Sequence, residues 1–224
     1  MARTRIKICG VMRPEDAVMA SAAGADAIGM IFYPSARRNI TADQAKEITC
    51  AIPPFVTPVG VFVDASVSAI ESQARSLGLQ TVQLSGHEAP ALAAELAGKK
   101  LRVIKVLHVD AEFEKVIETW RAAIKREGLM LAAIALDTAG AAGGSGVSND
   151  WERLRRLQAA GTFRDLPPII AAGGLNPDTV GDVVRTIRPW AVDVSSGVEQ
   201  IFGQKSPEKA SAFVEAVRKA DGLK

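Results

Sequence analysis

Two side chains able to move protons stand at the ends of apolar runs: Cys9 closes the first run, and Asp137 closes the sixth. A thiolate beside a cation can act as base or nucleophile. A carboxyl on an apolar wall can have a raised pKa and act as a proton donor. Together they read as an acid/base pair on one rim. Each also has a plainer reading, Cys9 as a small buried hydrophobe and Asp137 as a cap for loop amides. Side chains alternate along a strand, so Lys7 shares the face of Cys9 while Ile6 and Ile8 share the other. If that face is interior, the Lys7 ammonium needs a partner; Asp193, on the last strand beside the first, is the candidate.

Two glycine-bearing loops suit an anion. "AGGL" (Ala172 to Leu175, with Gly173 and Gly174) ends the seventh run, and "DVSSGVE", with Ser195, Ser196 and Gly197, ends the eighth. Glycine lets backbone N–H groups approach a phosphate closely; two ordinary tight turns are the alternative. Arg37 and Arg38 follow the second run in "FYPSARRN" and could pair with carboxylate or phosphate, although loop arginines are more often solvated charge. His87 and His108 read as incidental loop histidines, and Trp120, Trp151 and Trp190 as packing residues.

The elements that must position these groups follow from periodicity. Strand-length apolar runs occupy Arg5 to Cys9, Ala27 to Phe32, Thr57 to Val63, Thr81 to Leu84, Leu101 to Leu107, Leu131 to Leu136, Pro168 to Ala172 and Ala191 to Ser195. Between them lie helical periods, among them Asp43 to Ala51, Val67 to Leu77, Glu112 to Glu127, Asp150 to Ala160, Pro177 to Ile187 and Pro207 to Ala220. Thr41, Ser148 with Asn149, Asn176 before Pro177, and Ser206 before Pro207 are the expected helix starts. Strict alternation requires a parallel sheet covered by helices, and eight units imply an α/β fold, a (β/α)8 TIM barrel forming a single domain over 1–224. With 224 residues the connecting loops must be spare, since roughly 250 is typical. An open doubly wound sheet is the alternative, but "KICGVMRPED" lacks the GxGxxG fingerprint. In such a barrel, chemistry sits where strands end, and that is where Cys9 and Asp137 fall.

Composition narrows the function classes. A net charge of +2 gives no reason to expect nucleic acid, and no apolar stretch approaches a membrane span. The N-terminus lacks a secretory pattern, so a cytoplasmic location is expected. Cys9 and Cys50 are too few for a disulfide framework and lie in no metal-ligand spacing, so no metal is expected.

Taken together, "KICG", "GADAIGMIFYPSARR", "PPFVTPVGVFVD", "TVQLSG", "ALDT", "GGSG", "AGGL" and "AVDVSSGVE" run through nearly the whole chain. The sequence resembles the phosphoribosylanthranilate isomerases of tryptophan biosynthesis. The resemblance implies a (β/α)8 barrel that converts an anthranilate-linked aminoaldose phosphate to the 1-amino-1-deoxyketose phosphate, an Amadori rearrangement without cofactor. It further implies that Asp137 is the general acid at the furanose ring oxygen and that Cys9 thiolate is the general base at C2. Arg38 would face the anthranilate carboxylate. Backbone amides at Gly173, Gly174, Ser196 and Gly197 would bind the phosphate, and the loop Gly143 to Gly146, including Gly144, would close over the substrate. The implied partner is this small phosphosugar, in a monomer or homodimer.

The chain departs from the family pattern at four places. Ser85 stands where "QLHG" has a histidine, Val147 follows "GGSG" in place of a lysine, Ala36 replaces a serine and Phe202 a proline. Ser85 motivates a second reading, a non-catalytic phosphosugar-binding paralog. A third, an isomerase for another aminoaldose phosphate, lacks its expected second carboxylate and a second phosphate loop in the N-terminal half.

Overall fold

The structure, a computed structural model, describes residues 3–138 and 149–222. Eight parallel strands close into a barrel in chain order: β1 (Arg5–Ile8), β2 (Ala27–Phe32), β3 (Thr57–Phe62), β4 (Thr81–Leu84), β5 (Arg102–Val109), β6 (Ala133–Thr138), β7 (Ile169–Ala171) and β8 (Ala191–Val194). Closure comes from β1 pairing with β8, with Lys7 opposite Asp193. The helices α1 (Pro14–Ala23), α2 (Ala42–Ala51), α3 (Val67–Leu77), α4 (Pro90–Gly98), α5 (Phe113–Glu127), α6 (Trp151–Ala159), α7 (Val180–Ile187) and α8 (Pro207–Ala220) follow the strands in turn. Between β8 and α8 lie a 3-10 turn (Ser196–Val198) and a small antiparallel ribbon, β9 (Glu199–Ile201) with β10 (Gln204–Lys205). None of the described helices is long and apolar enough to cross a membrane.

Strand alternation divides the core in two. Ile6, Ile8, Ile28, Val82, Leu84, Ile134 and Val192 pack outward beneath the helices. Val59, Ile104, Val106, Ala133, Ala135, Ile170 and Ala191 fill the interior. By the same alternation Lys7, Cys9, Gln83, Ser85, His108, Asp137, Asp193 and Ser195 point inward above that apolar plug, toward the strands' C-terminal ends.

Local signals set most helix starts. Thr41 caps α2 in a reciprocal pair with Gln44, and the Ser206 side chain accepts from the Lys209 amide ahead of Pro207. Two expected starts differ. Asp150, not Asn149, caps α6, because Asn149 is buried and donates to the carbonyls of Leu136 and Ala172, tying β6 to β7. Asn176 folds into an Asx turn, accepting from the amides of Asp178 and Thr179, so α7 begins only at Val180.

Candidate active site

Lys7 is the centre of the interior charge cluster. Its ammonium meets Asp193 Oδ2 at 2.7 Å, with both side chains over nine-tenths buried, and its charge also acts on the Cys9 sulfur. The partner expected for Lys7 is therefore the one it has. Burial opposes the ammonium, but Asp193 and Cys9 more than offset this and hold Lys7 above its ordinary range. Cys9 is 8% exposed. Room for its sulfur comes from Gly29 on β2, where a Cβ would lie 2.6 Å from Sγ and 3.1 Å from Lys7 Nζ.

Lys7 does not bring the Cys9 thiol below its ordinary range. Burial is the main cause and pushes the thiol up, Lys7 pulls it down, and Asp193 pushes it up again. Asp137 is raised as well. Burial is the main cause, opposed by a hydrogen bond from the Thr138 amide at 2.7 Å, and the charge of Asp193 adds to it. Asp193 thus disfavours the anionic form of both Cys9 and Asp137.

His108, read from sequence as incidental, stands in register with Asp137 on the neighbouring strand, its Nε2 3.2 Å from the Ser85 carbonyl. Strand parity with Ile104 and Val106 was the signal that could have found it. Ser85 accepts from the Gln83 side chain. His87 is exposed.

Two buried ion clusters hold the strand ends, and both lay beyond local sequence reasoning. Glu88 takes Lys105 at 2.5 Å and also accepts from the amides of Asp64 and Gly86, joining the ends of β3, β4 and β5. Glu199 receives Arg38 through two parallel bonds of 2.8 Å and Lys205 at 3.1 Å. Lys205 in turn donates to the carbonyls of Cys9 (2.7 Å) and Ser195 (3.0 Å), stitching β1 to β8 beside the thiol. Burial raises the Glu199 carboxyl, but Arg38 and Lys205 outweigh this and hold it below the usual carboxylate range. Arg38 is thus committed to Glu199 through Nε and one terminal nitrogen.

The two glycine loops meet. A side chain at Gly197 would collide with the Leu175 carbonyl, and one at Gly173 with the Thr138 hydroxyl. Gly173 and Gly174 both take positive φ, 95° and 65°. Ser196 and Gly197 open the 3-10 turn, and the Ser195 hydroxyl is buried without a partner among the described residues. Gly143 and Gly144 lie outside the described residues. No group of His, Cys, Asp and Glu able to hold a metal occurs among the described residues.

Comparison with known proteins agrees with this geometry. The family model described as N-(5'-phosphoribosyl)anthranilate (PRA) isomerase matches residues 6–216. A Pseudomonas fluorescens Pf-5 protein named N-(5'-phosphoribosyl)anthranilate isomerase is 41% identical over 223 residues, covering 99% of each chain. A crystal structure of phosphoribosyl anthranilate isomerase in complex with reduced 1-(o-carboxyphenylamino)-1-deoxyribulose 5-phosphate superposes with TM-score 0.79 at 35% identity, covering 98% of this chain and all of that one. A structure of monomers generated from the dimeric enzyme of Thermotoga maritima gives TM-score 0.79 at 34% identity, with the same coverage.

Proposed function

The chain belongs to the phosphoribosylanthranilate isomerase family and is an isomerase of tryptophan biosynthesis; from that premise we propose that Cys9 and Asp137 are its base and acid. The observation that carries this reading is the interior cluster at one barrel mouth, in which Lys7 and Asp193 act on both groups.

Asp137 gives its proton to the furanose ring oxygen as the C1–O bond breaks, and the anthranilate nitrogen's lone pair closes a C1=N iminium. Cys9 thiolate removes the C2 proton. The C2–H pair becomes a C1=C2 double bond, the iminium π pair returns to nitrogen, and an enolamine results. Tautomerisation places a proton on C1 and takes one from the C2 hydroxyl, which returns thiol and carboxylate to their starting states. Every step is a proton transfer between substrate and these two groups.

Both pKa directions matter. Both groups are raised above their ordinary values, which favours the acid form of Asp137 and opposes the thiolate form of Cys9. Lys7 keeps that form within reach by stabilising the thiolate. The amides of Gly173, Gly174, Ser196 and Gly197 cradle the phosphate, Ser195 and Ser85 line the same mouth, and Gly143 and Gly144 are assigned to substrate closure. Arg38 faces the anthranilate end with the nitrogen that Glu199 leaves free.

A homodimer is the proposed assembly, supported by the dimeric Thermotoga relative and by Phe55, 98% exposed beside a cavity of about 370 Å3 at the barrel's other end. Light scattering tests it, and a monomer at micromolar concentration contradicts it. A cytoplasmic location is proposed from the family's role in amino-acid biosynthesis.

The activity is tested by following loss of the anthranilate adduct's fluorescence across pH. Turnover with a bell-shaped profile is expected; no turnover by soluble protein that binds the ligand tightly favours the non-catalytic paralog.

A further inference from the structure

Across the mouth from the thiol stands a histidine. In the closed barrel β5 lies half-way round from β1, and β4 half-way round from β8. His108 shares its strand face with Ile104 and Val106 of the interior plug, so its ring points into the mouth, facing the Cys9 side and in register with Asp137. Its Nε2 lies 3.2 Å from the Ser85 carbonyl. A carbonyl only accepts, so Nε2 carries the proton, and in the uncharged ring Nδ1 keeps a bare lone pair. That Nδ1 is buried with no partner among the described residues, and so is Gln83 Oε1 on β4. The Gln83 amide donates to the Ser85 hydroxyl at 3.2 Å.

A buried acceptor without a donor is costly, and the occupant that relieves it must donate. The substrate offers few such groups. Its ionised phosphate and ortho carboxylate only accept, and its anthranilate N–H is turned to that same carboxylate. Its furanose oxygen receives the proton of Asp137, and its C2 hydroxyl gives its own proton up in the last step. The C3 hydroxyl alone takes no part in the chemistry. It hangs from the carbon between C2, where Cys9 acts, and C4, whose ring oxygen Asp137 protonates. We infer that His108 is a specificity-determining residue whose Nδ1 accepts a hydrogen bond from the substrate's C3 hydroxyl, with its ring held in place by the Ser85 carbonyl. This rests on the isomerase reading above, with Cys9 and Asp137 as base and acid, and deepens it.

The test compares two competitive inhibitors, the reduced product analogue and its 3-deoxy form. The unaltered protein is expected to bind the hydroxyl-bearing compound about threefold to tenfold more tightly. His108→Leu should lose that preference by weakening this compound alone, and His108→Asn, whose Oδ1 falls near the position of Nδ1, should recover part of it. A hydrogen bond made equally in ground and transition states changes binding only, so KM in His108→Leu should rise by the same factor with kcat unchanged. Equal losses for both compounds, no preference for the hydroxyl in the unaltered protein, or a fall in kcat with KM unchanged overturns the assignment while isomerase turnover stands. Absence of turnover in the unaltered chain strikes instead at the isomerase reading, and direct titration of the two compounds then still decides the role of His108.

Discussion

Gly29→Ala tests whether the thiol's position, and not merely its presence, matters. The new Cβ would sit 2.6 Å from Cys9 Sγ, 3.1 Å from Cys9 Cα and 3.1 Å from Lys7 Nζ. Ordinary contact between such atoms begins near ~3.5 Å, so the sulfur must retreat by about 1 Å. The backbone of β1 cannot follow, since β1 is paired on both sides, to β2 and β8. A displacement of about 1 Å at a reacting group costs about 10²-fold in rate, and overpacking costs about 1–3 kcal/mol of stability. Gly60→Ala separates the two effects. Its Cβ would press on Phe62 (2.9 Å) and Leu79 (3.0 Å), both in the cluster beneath the helices, so it should lose similar stability and keep its turnover. Steady-state turnover and urea denaturation on both variants provide the comparison. Wild-type turnover in a folded Gly29→Ala, or equal turnover losses in the two variants, would refute the reasoning.

Asp193→Asn removes a negative charge that disfavours ionisation of both Cys9 and Asp137, so both limbs of the pH–rate profile should move to lower pH; limbs that stay put contradict it. Lys7→Met leaves the Asp193 carboxylate buried and unpaired and should cost about 3–5 kcal/mol by denaturant titration. Lys7 is raised from 10.5, so that loss should be full below pH 10.5 and fade only as pH climbs through the folded value; a loss that fades well below 10.5 contradicts it. Asp137→Asn should raise the thermal midpoint at neutral pH. A carboxyl whose folded pKa exceeds 3.8 destabilises increasingly as pH rises from 3.8 to that value, so the gain should vanish on acidification below 3.8; a gain that persists there would be incompatible with the raised pKa.

Much of the architecture was legible because it depends on local periodicity. The Val67–Leu77 and Pro207–Ala220 helices match their expected bounds, as do the Ala27–Phe32 and Thr81–Leu84 strands. Parity along β1 put Lys7 on the face of Cys9, and strand order put Asp193 opposite it. What stayed hidden depends on distance along the chain. Arg38 and Glu199 are 161 residues apart, and Lys205 reaches the Cys9 carbonyl across 196; no spacing rule announces such pairs. The direction of the Cys9 shift also required the fold, because burial of the thiol, which no local spacing reports, outweighs the pull of the neighbouring lysine. Asn149 misled for a related reason: a good cap residue was needed more by two buried carbonyls than by the helix it precedes.

The central claim is that a thiol and a carboxyl at one barrel mouth carry the two proton transfers. Turnover of Cys9→Ala and Asp137→Asn in the fluorescence assay, with folding checked by circular dichroism, tests it most directly. Each is expected to fall about 10²-fold or more while still binding the reduced product analogue; near wild-type turnover in either variant would contradict the account.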